Sequence, residues 1–168
     1  MKIALISAIV LTGLAAGVCL SHSYALDGPS GWLYSLAFDE DTVYAEGYSD
    51  EAFRRVRSGM SESAVLDLLR SPLGEVWVYG STPPAMRSGM VGFSGEVVDH
   101  LDKPEGGLAT FERLSIGMTK REVLGLIGEP LEKSFIYSKS QHDRSYRVRA
   151  VVMAGGSVLR KRSYFYVD

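Results

Sequence analysis

The apolar positions of this chain follow a helical period in two places and a strand-like pattern after each of them. Within 65–69 and within 123–127, four apolar residues are spaced so that they share one helix face. Gly155 and Gly156 separate two apolar runs by two residues, which is a strong signal for a hairpin turn. The runs rich in β-formers follow the two helices, at 76–79, 91–98, 134–137, 145–154 and 157–167. The pattern predicts an α+β fold with an antiparallel sheet.

Residues 53–79 and 111–137 carry the same pattern at a constant offset of 58, without a gap. Ten of the 27 aligned positions are identical, which is far more than chance gives. The shared residues are Phe53/Phe111, Arg55/Arg113, Gly59/Gly117, Met60/Met118, Val65/Val123, Leu66/Leu124, Leu68/Leu126, Pro72/Pro130, Leu73/Leu131 and Tyr79/Tyr137. The sequence therefore predicts a tandem duplication of one unit made of helix, helix and antiparallel sheet.

Turn and capping signals accompany the repeated pattern. A short helix precedes Gly59 and Gly117, and a left-handed residue at each glycine would end it. Ser61 and Thr119 then stand where the N-cap of the following helix belongs. Thr119 and Glu122 have the spacing of a capping box. The repeated residues are thus expected to specify the fold rather than chemistry.

Residues 1–26 are predicted to be an N-terminal signal peptide or membrane anchor that directs export. No residue within 3–26 carries a formal charge, and 3–20 is almost wholly apolar. Lys2 precedes this run, which predicts a cytoplasmic N-terminus with the rest of the chain outside the cytoplasm. Cleavage after Ala25 fits the small residues that signal peptidase requires, whereas an apolar run of 18 residues nearly spans a bilayer. A cleaved signal peptide and a retained membrane anchor both stay open.

Cys19 offers a third outcome for this segment, which is lipidation. It is the only cysteine of the chain, so a disulfide scaffold is excluded. Val18 stands where a lipobox needs a small residue, and the simpler role for Cys19 is that of a small hydrophobe in an apolar helix.

The chain is expected to divide into several consecutive parts after the segment 1–26. They are a lead-in at 27–49, repeat unit one at 50–100, a linker at 101–110 and repeat unit two at 111–168. Formal charge is unevenly spread, with −8 over 27–110 and +5 over 111–168. Either the two halves present different surfaces to partners, or the charges only solvate exposed faces.

The repeated pattern, with its Gly-Met-[Ser/Thr] turn, resembles the SmpA/OmlA (BamE-like) family of envelope lipoproteins. It is also similar to the secreted beta-lactamase inhibitor protein, a tandem duplication of a related unit. The resemblance covers 53–79 and 111–168, and it implies two helices packed on an antiparallel sheet in each unit. It further implies that the module binds protein partners and does not catalyse a reaction. The chain departs from both relatives, since Val18 spoils the lipobox and no disulfide is possible.

Candidate chemistry is sparse. Asp99, His100 and Asp102 lie close in sequence, and so do His142 and Asp143, but neither group has a second cluster that would complete a metal site. No motif for a cofactor or a catalytic nucleophile is present. We therefore expect no enzyme activity, no cofactor and no metal. The alternative is an unrecognised envelope hydrolase or metal-dependent enzyme that uses these loop residues.

A basic hairpin is the remaining feature. Arg147 and Arg149 share a face of one predicted strand, and Arg160 and Arg162 share a face of the next. On a sheet covered by helices on one side, this face is expected to be exposed and to bind an acidic envelope protein or anionic lipid headgroups. Nucleic acid is not an expected partner outside the cytoplasm. The alternative is that these charges only keep the sheet soluble and its edges unpaired.

Overall fold

A computed structural model describes residues 25–80, 89–103 and 110–168 of the chain. The apolar run 3–20, which contains Cys19, and residues 21–24 lie outside the described residues, as does most of the predicted linker. The predictions of export, cleavage and lipidation therefore stay predictions.

The described residues form helices and strands that follow one another along the whole chain. Helix α1 covers 25–37, so it contains the last two residues of the predicted segment 1–26 and the first part of the lead-in 27–49, for which no helix is predicted. The other helices are α2 (Asp50–Arg55), α3 (Glu62–Leu69), a 3₁₀ turn (Phe111–Arg113) and α4 (Lys120–Ile127). The strands are β1 (Thr42–Tyr44), β2 (Gly74–Tyr79), β3 (Gly89–Ser94), β4 (Val97–Asp102), β5 (Glu132–Ile136), β6 (Ser138–Ser140), β7 (Tyr146–Ala154) and β8 (Ser157–Tyr166).

Six of the strands form one sheet in the order β4-β3-β2-β5-β7-β8, and β1 pairs with β6 in a second, two-stranded sheet. The four pairings from β4 to β7 are antiparallel. The prediction of an α+β fold with an antiparallel sheet is confirmed. Because β4 and β8 end this order, they are the two edge strands of the sheet.

The contacts divide the described residues into two compact units. The first, which we call the terminal unit, contains the residues up to Thr42 together with 140–148 and 163–168. The second, the central unit, contains 43–139 and 149–162 and so holds all of the repeated sequence. Strands β7 and β8 each begin in one unit and end in the other.

Strands β2 and β5 lie side by side in the middle of the large sheet. Val76 pairs with Ser134 at the centre of this antiparallel ladder, and Gly74 and Val78 pair with Ile136 and Glu132 on either side of it. Gly74 and Val78 are equivalent to Glu132 and Ile136 at the offset of 58. Exchanging the two strands therefore reproduces the same register.

Each glycine-methionine turn is hydrogen-bonded to a hairpin that follows the other copy of the repeated pattern. Gly59 donates to the carbonyl of Val158, and Val158 donates to the carbonyl of Met60, at 2.9 and 2.8 Å. In the same way Gly117 donates to Val98, and Val98 donates to Met118, both at 2.8 Å. Both methionines are half-buried. The turns thus connect the helices to the hairpin ends of the sheet.

The local signals around these turns behave largely as the sequence predicts. Gly59 and Gly117 have φ of 84° and 90°, but the preceding helix ends earlier, at Val56 and Leu114, so neither glycine is its C-terminal cap. Thr119 and Glu122 form the predicted capping box, because each side chain accepts a hydrogen bond from the backbone of the other. The backbone N–H and the hydroxyl of Thr119 both donate to the Glu122 carboxylate, and these two bonds lower the pKa of Glu122.

Helices α3 and α4 end at residues with the same backbone conformation. Gly128 caps α4 with φ 79° and ψ −163°, whereas Arg70 caps α3 with φ 65° and ψ −165°. The hydroxyl of Tyr79 donates to the carbonyl of Gly128, and that of Tyr137 donates to the carbonyl of Arg70, both at 3.2 Å. This region of backbone space favours glycine, so Arg70 is held there at an energetic cost.

The core of the central unit joins the sheet to the helices. Trp77, Tyr79, Val91 and Phe93 of β2 and β3 are buried with Val98 of β4 and with Phe111, Leu114 and Val123 of the second copy of the pattern. The rings of Trp77 and Phe93 lie 4.4 Å apart, and those of Tyr79 and Phe111 lie 5.8 Å apart, edge to face. Aromatic packing therefore fixes one face of the sheet against the helices.

Candidate partner-binding surface

Arg149 is not part of an exposed basic face, so that prediction is wrong for this residue. Its side chain is 0% exposed, and Ala150, Val151, Val152 and Met153 that follow it are also buried. Strand β7 is thus covered on both faces at this point, and the alternation expected of a half-exposed strand does not apply.

The buried charge of Arg149 is compensated within the central unit. Its Nε lies 3.2 Å from Oδ1 of Asp50, and the hydroxyl of Tyr48 donates to the same oxygen at 2.7 Å. Burial and this hydrogen bond to Asp50 both raise the pKa of the Tyr48 hydroxyl, so Tyr48 remains protonated and acts as a donor. The tyrosine ring stacks on that of Tyr137 at 5.9 Å. This arrangement stabilises the interior and leaves Arg149 inaccessible to a partner.

Arg147 is also mostly buried, with 13% of its side chain exposed. In the terminal unit its guanidinium is paired with Asp27 and with Glu40, where Nε and Oε1 lie 2.9 Å apart. Burial lowers the pKa of Arg147, but its bonds and charge interactions with these two carboxylates raise it more. The prediction that Arg147 lies on an exposed face is therefore wrong as well, since two carboxylates already occupy its donors.

Arg160 and Arg162 are exposed, as the sequence predicts. Arg160 forms a bidentate pair with Glu132, with distances of 3.1 and 2.8 Å. Arg162 has no ion-pair partner among the residues that the structure describes. Both residues lie in β8, which is an edge strand of the large sheet. The outer side of β8 is bonded to the turn at Gly59 and Met60 through Val158, before the strand reaches Arg160 and Arg162. For these two arginines the partner-binding role stays a prediction.

The opposite edge of the sheet has the opposite charge. In β4, Asp99 and Asp102 are exposed, together with His100. Lys103 follows the strand and pairs with Glu112 at 3.1 Å, so its charge is compensated. The sheet therefore ends in a basic strand on one side and an acidic strand on the other.

The residues proposed for an alternative enzyme site lie in two different units. In the central unit, Asp99 and His100 line a shallow groove of about 300 Å³ beside Phe93 and Ile136. In the terminal unit, the backbone N–H of His142 donates to Oδ2 of Asp41 at 2.7 Å, and the exposed ring of His142 lies 3.2 Å from the same atom. Within residues 25–80, 89–103 and 110–168, no group of three or more His, Cys, Asp or Glu side chains is arranged to hold a metal ion.

The first residues of α3 and α4, which are equivalent in the repeated pattern, have different surroundings. Lys120 at the start of α4 contacts Glu75 at 2.7 Å and Glu96 at 3.1 Å, and it lies over the ring of Phe93. Burial lowers the pKa of Lys120, but these two carboxylates raise it more. At the start of α3 the equivalent residue is Glu62, which lines an open cavity of about 300 Å³.

The important partners of the arginines were not identified from the sequence. Asp50 lies 99 positions from Arg149, and Asp27 lies 120 positions from Arg147. A local pattern carries no signal for such distant pairs. The run of apolar residues 150–153 was the available sign that β7 is buried on both faces.

No protein-family model and no curated protein sequence matches this chain. Among the described residues, no helix is both long enough and apolar enough to cross a membrane.

Proposed function

We propose that this protein is an exported, non-catalytic protein-binding module of the cell envelope, built from two copies of one folding unit. In this proposal the copies interlock to form the sheet, and the basic edge strand β8 binds an extended acidic segment of a partner protein. The edge position of β8, with exposed Arg160 and Arg162, is the observation that carries the proposal.

The reciprocal contacts support the duplication. The turn of each copy bonds to the hairpin after the other copy, with distances that agree within 0.1 Å. In the same way, the hydroxyl of Tyr79 in the first copy donates to Gly128 in the second, and the hydroxyl of Tyr137 in the second donates to Arg70 in the first. Two unrelated segments have no reason to reproduce the same register, the same turns and the same tyrosine bonds. The resemblance to the SmpA/OmlA (BamE-like) family agrees with such a unit and stays a prediction.

The charge of β8 supports an acidic partner. An edge strand can extend its sheet with a strand from another protein, and the backbone bonds then supply much of the affinity. Arg162 is free to pair with a carboxylate, and a guanidinium can hold a carboxylate through two parallel hydrogen bonds. The acidic edge β4 would repel the same partner.

The test is the recovery of partners from solubilised membranes by the full chain and by variants. The double variant Arg160→Glu and Arg162→Glu should lose partners that the unchanged chain recovers, and added salt should weaken the recovery of these partners by the unchanged chain. The change at position 160 loses an ion pair with Glu132 that is worth about 0.2–1 kcal/mol, and it places a second carboxylate beside Glu132. Because both arginines are exposed, the variant should still fold.

The matched control reverses the same number of charges on the other edge, with Asp99→Lys and Asp102→Lys. This control should keep the partners of the unchanged chain. If both double variants melt normally and recover the same partners, β8 is only a solvated edge and the proposed binding site is wrong.

A further inference from the structure

The outward surface of helix α1 is apolar and carries no charge. Leu33, Tyr34, Leu36 and Phe38, at the end of the helix and just after it, are 55%, 44%, 66% and 42% exposed. The rings of Tyr34 and Phe38 contact each other edge to face at 5.9 Å. Several large exposed apolar residues close together on a short segment are unusual for a surface that faces water alone.

The single charge within the helix is removed from this surface. Asp27 is the only residue between Lys2 and Asp39 with a formal charge. Its side chain is fully buried and paired with Arg147 in the terminal unit. The buried side of the helix also contains Gly31, where a β-carbon would lie 3.6 Å from Phe165. The one charged residue of the helix is thus buried, whereas Leu33, Tyr34 and Leu36 near its end are exposed.

Charged residues begin directly after the apolar surface. Asp39 pairs with Arg144 at 2.9 Å, and Glu40 pairs with Arg147 at 2.9 Å. The first carboxylates that follow the helix are thus compensated within the terminal unit. The chain thus changes from exposed apolar residues at 33–38 to charged residues at 39 and 40, as a segment at a membrane–water boundary does.

We infer that the outward surface of α1 lies in the lipid–water interface of the membrane that holds residues 3–20. This inference rests on the proposed export, and it adds that the N-terminal segment is retained in the membrane. The apolar run of that segment precedes α1 without an intervening charge. Tyrosine and phenylalanine beside leucine suit this depth, since an interfacial helix buries its apolar side among the acyl chains and headgroups. A lipid surface is the occupant that this composition favours over a second protein, because no charge on this surface would select a partner.

The experiment places one fluorescent label on the full chain and measures which quencher reaches it. Leu36→Cys and Leu131→Cys, each in a Cys19→Ser background, give single labelling sites, since Cys19 is the only native cysteine. Leu131 is a matched control because it is also an exposed leucine, at 51%, and lies in the central unit. Each protein is reconstituted into vesicles of phosphatidylcholine and phosphatidylglycerol, with or without nitroxide-labelled lipid.

The label at position 36 should be quenched several-fold more strongly by nitroxide lipid than the label at 131, and it should be protected from iodide in the water. Melting of both variants should match the parent, because the two sites are exposed. Equal iodide quenching at both positions would overturn the inference. Protection from iodide without quenching by lipid would also overturn it, since a protein contact would then cover the helix.

Two further measurements separate this inference from the proposed function. Flotation of the full chain with vesicles tests the membrane segment itself, and a chain that does not float overturns the lipid contact. The variant with Arg160→Glu and Arg162→Glu should keep the quenching pattern at position 36 even though it loses its partners. A chain that floats with a water-exposed label refutes the contact of α1 while leaving the protein-binding proposal intact.

Discussion

Replacing Arg149 with alanine should destabilise the protein more than any exposed arginine does. The guanidinium is fully buried and its Nε lies 3.2 Å from Asp50, which also accepts a bond from Tyr48 at 2.7 Å. The backbone of Arg149 is bonded as well, since its N–H donates to Ser138 Oγ at 2.6 Å and its carbonyl accepts from Tyr137 at 2.8 Å. Truncation keeps these backbone bonds but leaves the carboxylate of Asp50 without its cation.

The size of the effect follows from burial. Removing one partner of a buried ion pair costs about 3–5 kcal/mol, because an uncompensated charge stays in the interior. Asp50 keeps 23% of its side chain exposed, so water reaches the remaining carboxylate and the cost should fall near the lower end. A loss of about 3 kcal/mol lowers the melting temperature of a region of this size by roughly 10 °C.

Thermal and urea unfolding of Arg149→Ala and Arg162→Ala test this reasoning. Arg162→Ala is the matched control, because its exposed side chain has no ion-pair partner among the described residues, and it should change stability by less than about 0.5 kcal/mol. The double variant Asp50→Ala with Arg149→Ala should be more stable than the sum of the single changes predicts, by about 0.5–3 kcal/mol. Equal stability of the two single arginine variants would refute a structural role for Arg149.

Two other predictions follow from the geometry. Arg70 and Gly128 both occupy backbone conformations that favour glycine. Arg70→Gly should therefore stabilise the protein by up to about 1 kcal/mol, whereas Gly128→Ala should destabilise it by about 1–3 kcal/mol. Urea unfolding that shows a change of the same sign for both variants would contradict this. The hydroxyl of Ser140 and the backbone N–H of His142 lower the pKa of Asp41 from 3.8, although its burial opposes this. The folded state therefore binds a proton at Asp41 less readily than the unfolded state does. The contribution of Asp41 to stability should be present above pH 3.8 and be lost as the pH falls below that value. Unfolding measured as a function of pH should show a smaller loss of stability in Asp41→Asn than in the unchanged chain.

The parts of the fold that the sequence predicted are those determined by neighbouring residues. The capping box of Thr119 and Glu122 needs only a spacing of three, and the hairpin at Gly155 and Gly156 needs only two residues with positive φ. Both are present. Helix 25–37 was not predicted, because it lacks a polar face toward water and so does not alternate as a surface helix of a soluble domain does.

The arginine surface was predicted wrongly because charge was taken as a sign of exposure. Arg147 and Arg149 follow each other at the spacing of one strand face, and the sequence alone gives no reason to bury them. Their carboxylate partners come from segments about a hundred residues earlier, which only the folded chain brings near. A charged residue next to a continuous apolar run is better read as a candidate for a buried pair.

If residues 53–79 and 111–137 are copies, as we propose, the strands that follow them are equivalent as well, and the positions where these strands differ are the best places to look for function. Gly89 pairs with Tyr79 in the sheet, and Arg149 bonds to Tyr137, so the two are equivalent. A β-carbon at Gly89 would lie 2.3 Å from the ring of Phe111, so this copy requires glycine where the other copy uses arginine. At this position of β3 the glycine leaves room for the ring of Phe111, whereas at the equivalent position of β7 the chain has the buried charge of Arg149. We therefore expect the shared residues to hold the fold, and we propose that recognition falls on exposed positions outside the shared pattern, such as Arg162.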